Sequence, residues 1–344
     1  MAMSAAGQWT PCDGTAGLNL QAAYEIPGVV LLGGATGVYR SDDGGASFVP
    51  SNSGNDPVGP TRGFTDEGVH LYDCTSQGVH RSSDGGVTWT PRSQGLTTLL
   101  GHNILAVDGK LFLVGPAGVF RSLDQAEHWS PAGLAGLDVR CIAAIGSTLF
   151  VGTNGWGIFK SEDWGGRWVP ANNGLTASTF RAIEAKDGTL FAGGPIGTGV
   201  FRSTDLGASW ALLAGGLPPS TVRGFASDER LIVAAAFGQG VFCSFDDGGH
   251  WRALDRGLGD LAVFDLAIHE GAIYAATNTQ GCFRFPIALL SDLNDDGCVD
   301  AADLTSILQS WGDCGQCAAD LNGDGLVDAV DLGQVLSDWG ACGR

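Results

Sequence analysis

Apolar and β-branched residues fall in short alternating runs separated by glycine-rich turns, and the stretch Val139 to Asn173 shows one complete unit. Val139-Arg-Cys-Ile-Ala-Ala-Ile predicts a first strand, Gly146-Ser a turn, Thr148-Leu-Phe-Val-Gly a second strand and Gly157-Ile-Phe-Lys a third, because such residues at a period of two suit a pleated sheet. The turn Ser161-Glu-Asp-Trp-Gly-Gly-Arg then leads into Trp168-Val-Pro, an outer strand where Pro170 costs no ladder bond. The third-strand phrase recurs as Gly37-Val-Tyr-Arg, Gly78-Val-His-Arg, Gly118-Val-Phe-Arg, Gly157-Ile-Phe-Lys, Gly199-Val-Phe-Arg, Gly240-Val-Phe-Cys and Gly281-Cys-Phe-Arg, at intervals of 41, 40, 39, 42, 41 and 41 residues. A repeat of this length holding four strands predicts a seven-bladed β-propeller, an all-β fold. The seventh repeat stops after Phe285, and Gly7-Gln-Trp-Thr-Pro matches the fourth-strand segment Gly86-Val-Thr-Trp-Thr-Pro. Trp9 to Pro11 are therefore expected to complete the last blade, which would remove two open sheet edges.

The turn before each fourth strand carries a further pattern, Ser82-x-Asp84-x-Gly86-x-Thr88-Trp89 and Ser203-x-Asp205-x-Gly207-x-Ser209-Trp210, with Phe48 replacing Trp in the Ser41 copy. The copies at Asp163 and Asp246 carry Arg167 and His250 at the hydroxyl position, and the copy at Asp124 has Ala126 and His128. This pattern resembles the Asp-box, or BNR repeat, of sialidase-like propellers and of the photosystem II assembly factors. The resemblance implies a structural element, in which the carboxylate accepts backbone amides, Gly adopts positive φ and Trp packs beneath the hairpin.

Composition adds a partner argument. A formal charge of −19 disfavours nucleic acid and anionic membrane as partners, and no apolar run approaches the ~18 to 20 residues needed to insert across a bilayer. Met1 to Gly7 show neither a basic region nor an apolar core, so no signal peptide is read there.

Beyond Phe285 the pattern changes. Asp292, Asn294, Asp296, Asp300 and Asp303 stand at positions 1, 3, 5, 9 and 12 of a twelve-residue loop, and Asp320, Asn322, Asp324, Asp328 and Asp331 repeat them. Gly297 and Gly325 occupy position 6, and Cys298 and Leu326 would offer backbone carbonyls at position 7, so two calcium ions are expected. Each loop precedes one helical run, Leu304–Trp311 and Leu332–Trp339. Loop then helix, duplicated over residues 291–340, resembles a type I dockerin, and that resemblance implies a cohesin-like protein partner. Positions 10 and 11 lack the usual hydroxyls, being Ala301-Ala302 and Ala329-Val330. The expected division is a propeller over 1–286 and a small α-helical dockerin-like domain over 287–344. Residues 289–344 hold eleven Asp and one Arg, a net −10 of the −19. The few residues between the domains, including Ile287, Leu289 and Leu290, are apolar, so the domains are expected to pack together.

Of nine cysteines, Cys298, Cys314, Cys317 and Cys342 lie in the acidic segment, where disulfides are favoured over zinc. Cys12 and Cys282 are placed on adjacent strands of the closing blade, where a bond would lock the ring, and Cys74, Cys141 and Cys243 read as buried thiols. Calcium and disulfides together indicate an extracytoplasmic setting.

Catalytic chemistry is harder to read. The four tyrosines, Tyr24, Tyr39, Tyr72 and Tyr274, do not supply a sialidase-type nucleophile, and Glu184, Asp265 and Glu270 read as solvated or paired acids. At the start of the innermost strands the repeats carry Asn19, Arg62, Asn103, Arg140, Arg181, Arg223 and Asp265, a ring able to bind a carboxylate or another anion. Inter-blade salt bridges are the alternative use of those arginines. A second basic column, Arg40, Arg81, Arg121, Lys160, Arg202 and Arg284, reads as solvated companions of the Asp-box carboxylates. The expected function is a non-enzymatic binding or scaffold protein whose propeller face takes a protein or glycan; the alternative is a glycoside hydrolase with a recruitment tail.

Overall fold

A computed structural model describes residues 9–54, 59–213, 215–254, 257–294, 296–314, 317–322 and 324–342. Met1 to Gly7, read above for a signal peptide, and Gln8 of the closing motif lie outside the described residues. Seven four-stranded antiparallel sheets follow one another along the chain, and their first strands touch in sequence around an axis, the seventh reaching the first. The fold is a seven-bladed β-propeller. In the last blade Val263–His269, Ala272–Thr277 and Cys282–Pro286 are joined by Thr10–Pro11 from the opposite end of the chain, with Thr10 opposite Arg284 and Pro11 opposite Phe283.

Apolar faces of neighbouring blades form the core, as where Phe150 and Ile158 of blade four meet Phe180, Leu190 and Phe201 of blade five. Tryptophans of the fourth-strand segments tie the blades together by a repeated bond. The indole N–H of Trp89 donates to Ser51, that of Trp129 to Arg92, that of Trp168 to Ala132 and that of Trp210 to Ala171. Each acceptor is the carbonyl just past the fourth strand of the blade before. Trp9 makes the same bond to Leu254, so the ring closes with the joint used elsewhere.

The Asp turns hold as hydrogen-bonded units. Ser82 Oγ donates to Asp84 Oδ1, which accepts the Thr88 amide at 2.9 Å, while the Thr88 hydroxyl donates to Oδ2 at 2.6 Å. In two of the three copies that lack the hydroxyl an imidazole replaces it, with His128 Nδ1 2.8 Å from Asp124 Oδ2 and His250 Nδ1 2.6 Å from Asp246 Oδ2; in the third, Arg167 donates its backbone amide to Asp163 Oδ1 at 2.8 Å. The second basic column does something other than expected. Arg40 donates to Gly85 O, Arg81 to Gln125 O, Arg121 to Trp164 O and Arg202 to Asp247 O. These arginines cross to carbonyls in the next blade's Asp turn, while Arg40 also pairs with Asp42 and Arg81 with Glu127; Lys160 pairs with the nearby acid Glu162.

After Pro286 a 3-10 turn, Ile287–Ser291, leads into the acidic segment with helices α1, Ala301–Gln309, and α2, Ala329–Ser337. Ile287 and Leu290 are buried in a cluster with propeller residues Leu254, Ile273 and Phe285. Asp338, at the end of α2, accepts from Arg230 of the propeller at 3.0 Å and from Ser291 at 2.6 Å, so the two parts are in contact as expected. Disulfides join Cys298 to Cys342 and Cys314 to Cys317. Cys74, Cys141 and Cys243 are buried thiols. Cys12 and Cys282 are thiols too, correcting the expected lock; the main chains meet through Cys12 N–H to Cys282 O at 2.9 Å, but the Cys282 thiol turns to the Phe283 carbonyl.

Candidate functional site

Five of the seven ring residues are set by a local defect in their strand. In the first strands of blades two, four and six the pairing register slips between Thr61 and Gly63, Val139 and Cys141, and Val222 and Gly224, leaving Arg62, Arg140 and Arg223 as unpaired bulge residues. A bulge turns its extra side chain out of the ladder. The same slip isolates Gln21 in blade one and Phe264 in blade seven. His102 and Arg181 stand at the corresponding places just before the paired residues Asn103 and Ala182.

The positions thus differ in part from those expected. Gln21, His102 and Phe264 occupy ring positions assigned above to Asn19, Asn103 and Asp265. Asn19 is held by Asn278, donating to its carbonyl at 2.9 Å and its Oδ1 at 2.7 Å. Asn103 and Asp265 remain at the mouth, beside Gln21, His102 and Phe264, and with Arg62, Arg140, Arg181 and Arg223 they line a cavity of about 140 Å³. A small residue follows Gln21, Arg62, Arg140, Arg181 and Arg223 in the sequence, namely Ala22, Gly63, Cys141, Ala182 and Gly224, and this was the available signal.

Charge is distributed unevenly around the mouth. Arg140 pairs with Asp138, whose other oxygen lies 3.1 Å from His102 Nε2. Among the described residues no carboxylate pairs with Arg62, Arg181 or Arg223; Arg62 reaches His102 Nδ1 at 3.4 Å, and Arg223 lies between the rings of Phe237 and Phe264. The buried Nε atoms of Arg62, Arg140 and Arg223 have no hydrogen-bond partner. Burial and then the neighbouring Arg140 lower the Arg181 pKa, and burial with Arg181 and Arg140 lowers that of Arg223. His102 is pushed down to about 4, by burial first and by Arg140 second. Burial raises Asp265 to about 7 and Glu184 to about 7, so neither acid neutralises the arginines fully near neutral pH.

The acidic segment is two-fold. Val299 at position 8 of the first loop bonds Gly340 and Ala341 beyond α2, and Val327 at position 8 of the second pairs with Gly312 beyond α1. Cys298–Cys342 bridges the first of these contacts. Leu326 stands where a partner for Cys314 would be needed in the second, and Cys314 bonds Cys317 instead.

Both loops fold onto their own amides. Asp292 Oδ2 accepts Gly297 N–H at 3.0 Å and Asp320 Oδ2 accepts Gly325 N–H at 2.8 Å. Asp303 accepts Leu293 and Asp300 amides, and Asp331 accepts Leu321 and Asp328. Among the described residues no three His, Cys, Asp or Glu side chains gather at metal-binding distance. The first loop nevertheless fits a cation: Asp292 Oδ1 is buried without a partner, and burial, with Asp303 and Asp296 nearby, raises its pKa. A bound cation would relieve both conditions.

Comparison with known families settles the nature of this segment. Residues 290–336 match the family model of the dockerin type I domain. Dockerin domains bind calcium and dock on a protein partner, and here Leu308 and Trp311 of the first dockerin half and Leu336 and Trp339 of the second are exposed at equivalent places.

The propeller is similar in fold to many solved structures. The extracellular domain of a one component system from B. thetaiotaomicron has TM-score 0.67 at 11% identity, covering 81% of this chain and 40% of that one. A GH74 enzyme from Niastella koreensis has TM-score 0.62 at 16% identity, covering 79% and 44%. YCF48 bound to a D1 peptide has TM-score 0.63 at 16% identity, covering 80% and 94%. The chain thus spans less than half of the first two. No curated protein matches it by sequence. No helix is long and apolar enough to cross a membrane among the described residues.

Proposed function

We propose that this chain is a non-enzymatic, extracytoplasmic binding protein: the arginine mouth of its propeller takes an anionic ligand, and its dockerin, loaded with two calcium ions, attaches it to a cohesin-type module. The observation that carries this reading is the mouth itself, where Arg62, Arg181 and Arg223 face one cavity without a carboxylate partner among the described residues. Convergent guanidinium groups repel one another unless an anion lies among them, and their forked donors suit a carboxylate. YCF48, with a propeller of similar fold, is seen bound to a peptide, which supports a binding role for such a propeller. In the dockerin, Asp292, Asn294, Asp296, Asp300 and Asp303 and their counterparts from Asp320 to Asp331 would hold the ions, with the Cys298 and Leu326 carbonyls. Calcium would supply the positive charge that lets these carboxylates share one small domain. The two disulfides support an oxidising compartment.

The test is to incubate the protein with acidic and neutral glycans and peptides, measuring bound ligand and released product together. Binding that weakens with salt and with Arg140→Ala plus Arg181→Ala, without product release, is the expected result. Product release abolished by replacing Asp265 or Glu184 would overturn the non-enzymatic assignment.

A further inference from the structure

The mouth is two-sided in a way that narrows its ligand. Arg140, Arg181 and Arg223 come from three successive blades and line one cavity as an arc, close enough that Arg140 helps lower the basicity of Arg181, and both that of Arg223. Across the cavity stand Asp265, Gln21 and Asn103, an acceptor and two amides, with Arg62 and His102 on the same side, so a fourth guanidinium lies among the groups facing the arc. Asp265 Oδ2 accepts the Ala23 amide at 3.1 Å, which fixes the carboxyl in place. Phe264 is the only apolar side chain lining the cavity among the described residues. Beside the cationic arc, the loops between second and third strands of blades four and five hold up Trp156 and Ile196, 63% and 78% exposed. The Trp156 loop is tied to the mouth, because Asn154 Nδ2 donates at 3.1 Å to Asp138, the partner of Arg140.

Resting on the anion-binding reading above, we infer that the mouth takes a polyhydroxylated carboxylate, a sugar acid, with its carboxylate on the Arg140–Arg181–Arg223 arc and its hydroxyls toward Asp265, Gln21 and Asn103. A cavity of about 140 Å³ accommodates roughly one sugar-sized ring. Its lining rejects an apolar side chain, since inserting one would strip water from amides and guanidinium groups without replacing their hydrogen bonds. Hydroxyls replace those bonds, and an amide serves them as either donor or acceptor. The exposed indole of Trp156 offers an apolar face over which a second ring of a longer acidic glycan can lie, so the free acid and a terminal uronate share the inner site and differ only outside it.

Titration calorimetry at low salt tests this with galacturonate, glucuronate and a galacturonate trimer, against galactose, glutarate and an aspartyl dipeptide. The sugar acids should bind, galactose should not, and Arg181→Ala should weaken sugar-acid binding about tenfold or more, as loss of a charge-assisted bond does. Gln21→Ala should weaken galacturonate several-fold and leave glutarate unchanged, a readout that a general structural role would not give. Trp156→Ala should weaken the trimer and spare the monomer if a glycan is the source; equal loss or no loss assigns the site to the free acid. If glutarate or the dipeptide binds as tightly as galacturonate, the sugar-acid assignment is wrong while the anion site stands. Absence of binding by every anion would remove both.

Discussion

At the scale of single residues, the Asp turns make this protein sensitive to acid. The Ser47 hydroxyl and amide, with Ser41, lower Asp43 from 3.8 to about 2, and Ser209 and Ser203 do the same for Asp205. Their depressed folded-state pKa values give stability that is present above pH 4 and lost as pH falls toward 2. Glu184 and Asp265 act in the opposite sense. Burial raises both to about 7, so the folded state binds more protons than the unfolded one between about pH 4 and 7, and stability rises as pH falls through that window. Urea denaturation of the propeller should therefore show greatest resistance in mildly acidic buffer. Glu184→Gln should flatten the neutral side of that curve, and Asp205→Asn the acid side; unchanged limbs would refute the assignment. Gln125 is a separate case, an exposed residue at φ 59° where other copies have Gly44 and Gly85. Gln125→Gly should stabilise by about 0.5–1 kcal/mol in the same assay, because only glycine enters that region without steric cost. Imidazole replacing hydroxyl at His128 and His250 was not legible from the sequence, since the motif names a chemical group and the turn needs only a donor reaching Asp Oδ2.

At the scale of elements, the blades were legible because each strand carries its own alternation and the repeat supplies it seven times. The mouth was legible only in part: Arg62, Arg140, Arg181 and Arg223 line it at the expected places, but Gln21 stands there in place of Asn19. A bulge adds one residue without altering strand composition, so counting from a strand's apparent start drifts by one or two positions. The arginines after the third strands illustrate a different limit. Their regular spacing was plain, yet their acceptors are backbone carbonyls in the next blade, which carry no side-chain signature. Adjacent blades are tied by those bonds and by the indoles. Trp210→Phe should keep most of the apolar packing while leaving the Ala171 carbonyl without its donor, lowering stability by about 1–2 kcal/mol on urea unfolding. A loss below a few tenths would mean the indole bond matters little. Gly174, at φ 88°, fits against the carbonyl of Trp210, where an added Cβ would lie 2.1 Å from that oxygen, so the same joint requires both residues.

At the scale of the whole molecule, a small acidic domain rests on a larger ring through Asp338, Arg230 and the buried Ile287 and Leu290. If the dockerin holds two ions, chelation should lower its melting transition and leave the propeller transition in place, because a ligand stabilises only the fold that binds it. Calorimetry showing identical melting with and without chelator would contradict calcium loading. The closing strand sets a separate requirement in time. Thr10 bonds the main chain at Arg284, 274 residues further on, so at a synthesis rate of about 5–20 residues per second the first strand must wait roughly 14 to 55 s for its partner. Until then the first strand has no partner for its ladder, and both faces of the seam are open to solvent and to other chains. The ribosome delivers the dockerin immediately after the strand that ends this wait, so the part that joins this protein to others emerges only when the ring is ready to shut.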